Sequence, residues 1–563
     1  MAETVPCDVV VIGSGAGGGP LALTLARAGF DVLVLEKGPR HPRDAYLPDE
    51  IEVLRRGFFT PSLADDPHTV VTRASPRAQR TALGWIASCV GGGTVHMGSY
   101  LYRFHPDDLR MRSRFGAPAA RALDGAALRV ELADWPFDYD TLEPWYGVAE
   151  REVGVAGEAG ANPFEAPRST PYPLPPLDAH PVAAELERAM RRRGLHPFPT
   201  PRGIASRPYE GRPACSYCAS CAGYGCPTGA RGSVQEALLP RAEATGRCHV
   251  LADTAVHEIT VDDAGRATGC LAVGPAGALR VRARVVCVCC SAVESARLLL
   301  LSRSPRFPDG LANGSGRVGR HLQFHGVTMG LGLVPRARLP EAVREMWHPF
   351  LGRSAMDHYF LPEGVAEPAK GGLLRFFLVP PSPVMTAEQV AFADRAAGGS
   401  LVWGRELLER LERRYRDDLA IGFEVFHDFL PNDGTYVGLD PEVCDAAGRP
   451  VARIHLEVPE HQRRVGEWTF ERAAEILRDL GAESFEASAV GGTSSYLVHG
   501  TCRAGDDPAT SVLDSWCRAH EVPNLYVVDG SFMPTSGGAP PTLTILANSF
   551  RVADRLVDVL RRT

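Results

Sequence analysis

Long apolar runs are missing from this sequence: no stretch of its 563 residues approaches 18 consecutive apolar positions, so no membrane-spanning helix is expected. Met1-Ala2-Glu3-Thr4 leads directly into a β-branched run without a signal-peptide or twin-arginine pattern, and a cytoplasmic protein is expected. Long runs of one charge sign are missing too. The 60 basic and 67 acidic residues are mixed along the chain for a net charge of -7, which offers nucleic acid no basic surface. No internal repeat is found, and no Cys-x-x-Cys-His haem-attachment motif. The 14 cysteines do not read as a disulfide framework in a reducing compartment. Cys287, Cys289 and Cys290 sit in a buried-looking strand, whereas Cys215, Cys218, Cys221 and Cys226 crowd into one short polar stretch.

What is present exceeds one hydrophobic core, so two or more packed domains are expected. The chain is organised around Cys7-Asp8-Val9-Val10-Val11-Ile12-Gly13-Ser14-Gly15-Ala16-Gly17-Gly18, followed by an apolar helical stretch and by Val32-Leu33-Val34-Leu35-Glu36. This is a βαβ dinucleotide site. Gly13 permits the tight turn, Gly15 lets backbone approach a pyrophosphate at the helix N-terminus, and Gly18 lets helix and strand pack closely. Glu36 ends the second strand, where a carboxylate accepts hydrogen bonds from a ribose diol. A second glycine cluster, Gly91-Gly92-Gly93 before Thr94-Val95-His96, suggests another close approach of backbone to a flat ligand.

Further along, Thr141-Leu142-Glu143-Pro144 reads as a helix start. The proline-rich segment from Asn162 to Pro181 reads as a long ordered loop or a lid over the cofactor. Residues 182 to 193 read as a short helix, 249 to 273 as strand, turn and strand, and 281 to 290 as a buried strand. Residues 325 to 460 are strand-rich with many turns, and His461 to Leu480 is an amphipathic helix. The expected fold is α/β: a Rossmann-type domain from 1-330 and 490-563, with 160-232 as lid and cysteine-rich insertion. A second α+β domain on an antiparallel sheet, for substrate, is expected over 331-489.

The C-terminal blocks His499-Gly500-Thr501-Cys502-Arg503-Ala504-Gly505, Asn524-Leu525-Tyr526-Val527-Val528-Asp529-Gly530 and Pro541-Thr542-Leu543-Thr544-Ile545 resemble the glucose-methanol-choline (GMC) flavoprotein family. So do Glu294-Ser295-Ala296-Arg297 and Gly316-Arg317-Val318-Gly319-Arg320 upstream. The resemblance implies FAD. Its adenosine half would lie on Gly13, Gly15, Gly18 and Glu36 with Val256 near the adenine, and its flavin along Gly92, Gly93, His96, Asp529, Gly530, Thr542 and Leu543. Within the family, the sequence is most similar to sugar and sugar-acid dehydrogenases and pyranose oxidases. His96 falls where pyranose oxidases tether the flavin covalently, and either a tether or a non-covalent contact fits. The implied activity is oxidation of a CH-OH group on a small polar alcohol, such as a sugar, polyol or glycosylated metabolite, by hydride transfer to flavin N5. A helix starting near Pro541-Thr542 would aim its positive end at the charge a reduced flavin carries near N1 and O2.

Two positions depart from the family pattern. Its usual histidine base, three residues before the Gly500-Thr501 pair, falls on Leu497. Its second His or Asn, just before the last Pro-Thr, falls on Pro540, which has no donor or acceptor side chain. His499 is the expected base if a local bulge brings it to the flavin. The alternative is a packed His499 with His427 or His358 of the second domain as base. Non-redox lyase or isomerase chemistry, a redox-inactive scaffold and an oxidase using dioxygen are the alternative functions. The run Cys215-x-x-Cys218-x-x-Cys221-x-x-x-x-Cys226 differs by one residue from ferredoxin spacing, so it reads either as ligands of an iron-sulfur cluster or as a reduced packed loop. In either case an external electron-acceptor protein is the expected partner.

Overall fold

The computed structural model describes residues 3–562 apart from 56, 219, 345–347, 381, 397 and 398. Val9, Val10, Val11 and Ile12 are buried on both faces of the strand Glu3–Ile12, as a central parallel strand requires. That strand pairs in parallel with Val32–Leu35 on one side and Gly277–Val288 on the other. Cys248–Leu251 extends the sheet beyond Val32–Leu35, and Leu525–Val527 returns from the C-terminal region to pair with Gly277–Val288. The hairpin Ala255–Val261 and Ala267–Gly274 adds an antiparallel edge. The helix Gly18–Arg27 is buried over most of its length and packs on the last helix, Thr542–Arg562. The two chain ends of the sequence therefore build one nucleotide-binding layer.

A second, six-stranded sheet runs in the order Ser484–Thr501, Arg320–Pro335, Asp418–His427, Gly372–Leu378, Arg353–Ala355 and Phe198–Pro199. Its pairs are antiparallel. The helix Glu460–Asp479 covers it, burying Val465, Ala473, Ile476 and Leu477. The expected boundaries near 330 and 490 both fall inside strands of this sheet. Arg320–Pro335 and Ser484–Thr501 are long neighbouring strands that belong to this sheet alone, so turn density does not mark where one layer gives way to the other.

A local signal shifts one further boundary. The helix expected from Thr141 starts at Tyr139, because Asp138 Oδ1 accepts from the Thr141 backbone N–H at 3.0 Å and caps the helix from outside. After Ser233 the chain forms a π-turn, Val234–Leu238, followed by the short α-helix Leu239–Glu243.

Several histidines are buried as neutral rings. Burial pushes His96, His325 and His461 down to about 4 and His427 to about 3. An unfolded histidine takes up its proton near pH 6.5, so the unfolded chain binds more protons as pH falls. Stability is then complete above about pH 6.5 and is lost towards about pH 4, each ring opposing folding by about 1.4 kcal/mol per pH unit in that window. Thermal melts of the apoprotein should show a midpoint that drops steadily between those pH values; a flat profile would contradict this placement of the rings.

Candidate active site

The first glycine turn is held by contacts that leave no room for a side chain. Gly13 has φ +98°, and a Cβ there would lie 2.3 Å from the Cys289 carbonyl oxygen. A Cβ on Gly18 would lie 2.0 Å from the Gly13 carbonyl oxygen, so this glycine sets the approach of helix to turn. Gly15 faces a cavity instead, its nearest neighbour being Gly92 Cα at 3.8 Å. That cavity encloses 1450 Å³ including its open mouth, and Gly13, Gly15, Glu36, Val256, Gly92, Gly93, Asp529, Gly530 and Thr542 all line it. Gly91 N–H donates to Ser14 Oγ at 2.9 Å, which ties the second glycine cluster to the first.

At the end of Val32–Leu35, Glu36 accepts from Ser14 N at 3.0 Å, Ser14 Oγ at 2.7 Å and Gly38 N at 3.0 Å. Burial raises its carboxyl above the usual range despite these donors. Lys37, Glu294, Arg297 and Asp445 stand beside it on the cavity wall, joined by ion pairs such as Arg297–Asp445 at 2.8 Å. Sequence reasoning missed this charged wall. It also missed Ser291, whose φ of +75° and unpartnered Oγ mark it as a backbone position under constraint. Trp85 Nε1 and His257 Nδ1 are two more buried polar atoms that line the cavity without a partner.

Two residues expected beside the flavin lie off the cavity wall. His96 is buried but absent from the cavity wall: one ring nitrogen bonds the Ile86 carbonyl at 2.9 Å, and the ring stacks on Phe59 at 4.5 Å and 7°. It positions Ile86, which does line the cavity. With the ring turned to Ile86 and Phe59, acid or heat should release all FAD from the protein; flavin that stays with the denatured chain would contradict this placement of the ring. Leu543 is also off the wall. At the start of Thr542–Arg562, Pro541, Thr542 and Ile545 share one face, and Leu543, turned about 100° further round the helix, is packed into the core.

Asp529 caps the turn before the last helix: Oδ1 accepts from Ser531 N at 2.8 Å and Oδ2 from Ser295 Oγ. Burial raises its carboxyl as well. The long helix that follows presents its N-terminus to the cavity through Pro541 and Thr542. This is a site for negative charge.

The strand Ser484–Thr501 loses register between Thr493↔Gly326 and Val498↔Phe324, so residues 494–497 bulge, and Tyr496 and Leu497 reach the cavity. His499 stays in register opposite Gln323. It is fully buried, and neither ring nitrogen has a hydrogen-bond partner among the described residues. Its ring lies behind Gly530, where a Cβ would be 3.8 Å from His499 Cδ2, and 4.9 Å from the ring of His325. Burial, then the neighbouring His325, holds it well below the usual imidazole range. Pro540 sits between Pro541 and Ala539, whose carbonyl bonds His325 at 2.8 Å. His427 is buried deeper in the second sheet beside Thr328 and Gln462, and His358 packs on Trp468; neither of them lines the cavity, and His499 lies behind its wall at Val498 and Gly530.

Among the described residues no group of three or more His, Cys, Asp or Glu side chains is placed to hold a metal ion. The four clustered cysteines are thus not assembled as a ligand set: Cys218 is exposed, Cys226 meets Thr228 Oγ1 at 3.5 Å, and Cys215 accepts from Tyr217 N at 3.4 Å. Among the described residues of 160–232 none lines the cavity, and the proline-rich segment is an ordered loop. It packs instead on the helix Tyr139–Val153, with Ser169 on Glu143 and Arg168 on Glu150. The cysteine run and the turn after it brace the second glycine cluster, Gly223 N donating to the His96 carbonyl and Val234 N to Thr94 Oγ1 at 2.9 Å.

Comparison with known proteins agrees with this site. Two family models described as GMC oxidoreductase match residues 180–327 and 431–549, and one described as FAD binding domain matches 8–43. The chain is 34% identical to 6'''-hydroxyparomomycin C oxidase of Streptomyces lividus over 97% of this chain and 90% of that one. It is 29% identical to 2-methyl-1,2-propanediol dehydrogenase of Mycolicibacterium austroafricanum over 97% and 94%, and 28% identical to the fructose dehydrogenase large subunit of Gluconobacter japonicus over 100% and 99%. Pyridoxine 4-oxidase from Mesorbium loti superposes with a TM-score of 0.60 over 98% of this chain and 99% of its own at 19% identity, a likeness of fold.

Proposed function

The chain belongs to the glucose-methanol-choline (GMC) oxidoreductase family, an FAD-dependent family, and from that premise we propose that it is a dehydrogenase for a CH-OH group on a polar, polyhydroxylated or aminated sugar-like alcohol. The two aminoglycoside oxidases among its relatives, paromamine 6'-oxidase of Streptomyces fradiae being the second, support that substrate class.

The cavity suits FAD. Gly15 and Gly92 leave backbone bare where a Cβ would intrude, and Ser291 Oγ, Trp85 Nε1 and His257 Nδ1 are buried polar atoms lacking partners along its wall. Glu36 and Val256 would hold the adenosine end, Gly15 and the N-terminus of Gly18–Arg27 the pyrophosphate, and Gly92, Gly93, Asp529, Gly530 and Thr542 the flavin. When bound, FAD supplies the hydride acceptor, N5.

The observation that carries the catalytic reading is His499: a fully buried ring held neutral, with both nitrogens unpartnered among the described residues, one layer behind the cavity wall at Gly530. A neutral imidazole without a competing donor accepts the proton of a substrate hydroxyl as the carbinol C–H leaves as hydride. The substrate alcohol thereby loses one proton and one hydride and becomes a carbonyl compound. The reduced state is favoured by the N-terminus of Thr542–Arg562. A carrier protein, in the cytoplasm, is the electron acceptor of this reading.

The test is anaerobic mixing of the purified protein with a panel of aminoglycosides, sugars and polyols. A substrate should bleach the flavin, and an artificial acceptor should restore its colour faster than air. Turnover without bleaching would overturn the redox reading, and rapid reoxidation by air with stoichiometric peroxide would overturn the dehydrogenase assignment.

A further inference from the structure

Lys37 and Lys370 are the only lysines in a sequence that otherwise uses arginine for its positive charge. Lys370 is fully buried, far from the surface positions where lysine is ordinarily found. Its Nζ lies 3.1 Å from Asp108 Oδ1 and 3.1 Å from Asp428 Oδ2, both carboxylates being buried as well. It also lies 3.6 Å from the centre of the Tyr359 ring. Burial alone would strip the lysine of its proton, yet the two carboxylates raise it above its ordinary value. One cation between two anions is the arrangement that a compact ammonium satisfies and a planar guanidinium does not.

Every group around this lysine grips the loop that precedes the last helix. Tyr359 donates to Asp108 Oδ2 at 2.6 Å and accepts from Gly538 N at 3.1 Å. Ser536 Oγ bonds Asp428 Oδ1 at 3.3 Å, and Thr535 Oγ1 bonds the Asp108 carbonyl at 2.8 Å. Gly538 approaches so closely that a Cβ there would lie 2.6 Å from Lys370 Nζ. One residue later the Ala539 carbonyl holds His325, whose ring packs on His499. Three residues after that begins the helix whose N-terminus faces the cavity.

We infer that Lys370, Asp108, Asp428 and Tyr359 form a buried clamp that positions the Thr535–Ala539 loop, and through it both the His325–His499 pair and the helix end at the flavin. These are positioning residues; none lines the cavity. The inference rests on the reading of the cavity as the FAD site and His499 as base. Removing the ammonium, as in Lys370→Met, leaves two buried carboxylates uncompensated and is liable to prevent folding. Asp428→Asn and Tyr359→Phe are the milder variants, because each keeps the chain's charge near balance while releasing one hold on the loop.

In folded Asp428→Asn and Tyr359→Phe with FAD bound, the flavin's visible band should shift and its preference for the reduced state should weaken about tenfold, which is about 30 mV for a two-electron couple. Flavin reduction by substrate should slow by a similar factor with little change in KM. Lys370→Arg should not restore the wild-type spectrum. His499→Ala, in contrast, should slow reduction while leaving potential and spectrum at the wild-type values. If both milder variants keep the wild-type potential and spectrum, the clamp is overturned. If His499→Ala leaves reduction unchanged, the base assignment fails on its own.

Discussion

His499→Ala should lower the rate of flavin reduction by about 10²- to 10⁴-fold, the range expected for removal of a general base, while FAD stays bound. The size follows from what surrounds the ring. It has no hydrogen-bond partner to inherit its task, Leu497 stands where the family's usual base would be, and the nearest other imidazole, His325, has one nitrogen committed to the Ala539 carbonyl. The pH dependence has a definite sign. Because burial keeps His499 neutral well below the ordinary imidazole range, the base is competent throughout the neutral region and loses activity only on the acid side. A wild-type rate that rose through neutral pH with an ordinary histidine pKa would place the base elsewhere. Retained FAD with an unchanged reduction rate in the alanine variant would do the same.

The second large effect separates two glycines only three residues apart. Gly18→Ala places a methyl 2.0 Å from the Gly13 carbonyl oxygen and 3.1 Å from Val11 Cγ1, so the first helix must move away from the turn. Backbone cannot yield there as a flexible side chain would. Overpacking of this kind costs about 1–3 kcal/mol, and the displaced helix no longer offers its N-terminus to the pyrophosphate. The variant should be less stable as apoprotein and should purify colourless. Gly15→Ala meets nothing closer than 3.8 Å, so its apoprotein should melt with the wild type. Its methyl nevertheless fills the cradle where the cofactor's backbone contact belongs, and FAD affinity should fall by about 10- to 100-fold, roughly 1.4–3 kcal/mol. Calorimetry of both apoproteins with an FAD titration checks the pair. Equal stability of Gly18→Ala and wild type would show that the helix has slack the structure does not contain.

Some of the residues that line or support the cavity were legible from the sequence alone. Gly13, Gly15, Gly18 and Glu36 were, since each is required at fixed spacing by the sterics of one strand–turn–helix unit, and spacing is what a sequence records. Thr542 was legible and Leu543 was not, because the phase of a helix about its own axis depends on what it packs against. The direction of the His96 ring was not legible for a related reason: the glycines ahead of it face the cavity, but the ring turns to the Ile86 carbonyl and to Phe59, contacts that spacing does not record. The positions 330 and 490 fall inside Arg320–Pro335 and Ser484–Thr501, long strands of the second sheet whose extent no turn residue announces. The clamp at Lys370 was invisible, since Asp108, Tyr359, Lys370, Asp428 and Ser536 are scattered over the chain and meet only when both sheets are in place.

The most direct test of the account is anaerobic flavin bleaching by the substrate found in the panel, compared with the same substrate deuterated at its carbinol carbon. Hydride transfer from that carbon predicts single-turnover bleaching slowed several-fold by deuterium in the wild type, with one carbonyl product formed per flavin reduced. Bleaching that is insensitive to the deuterium and to His499→Ala alike, or product formed with no bleaching, would contradict it.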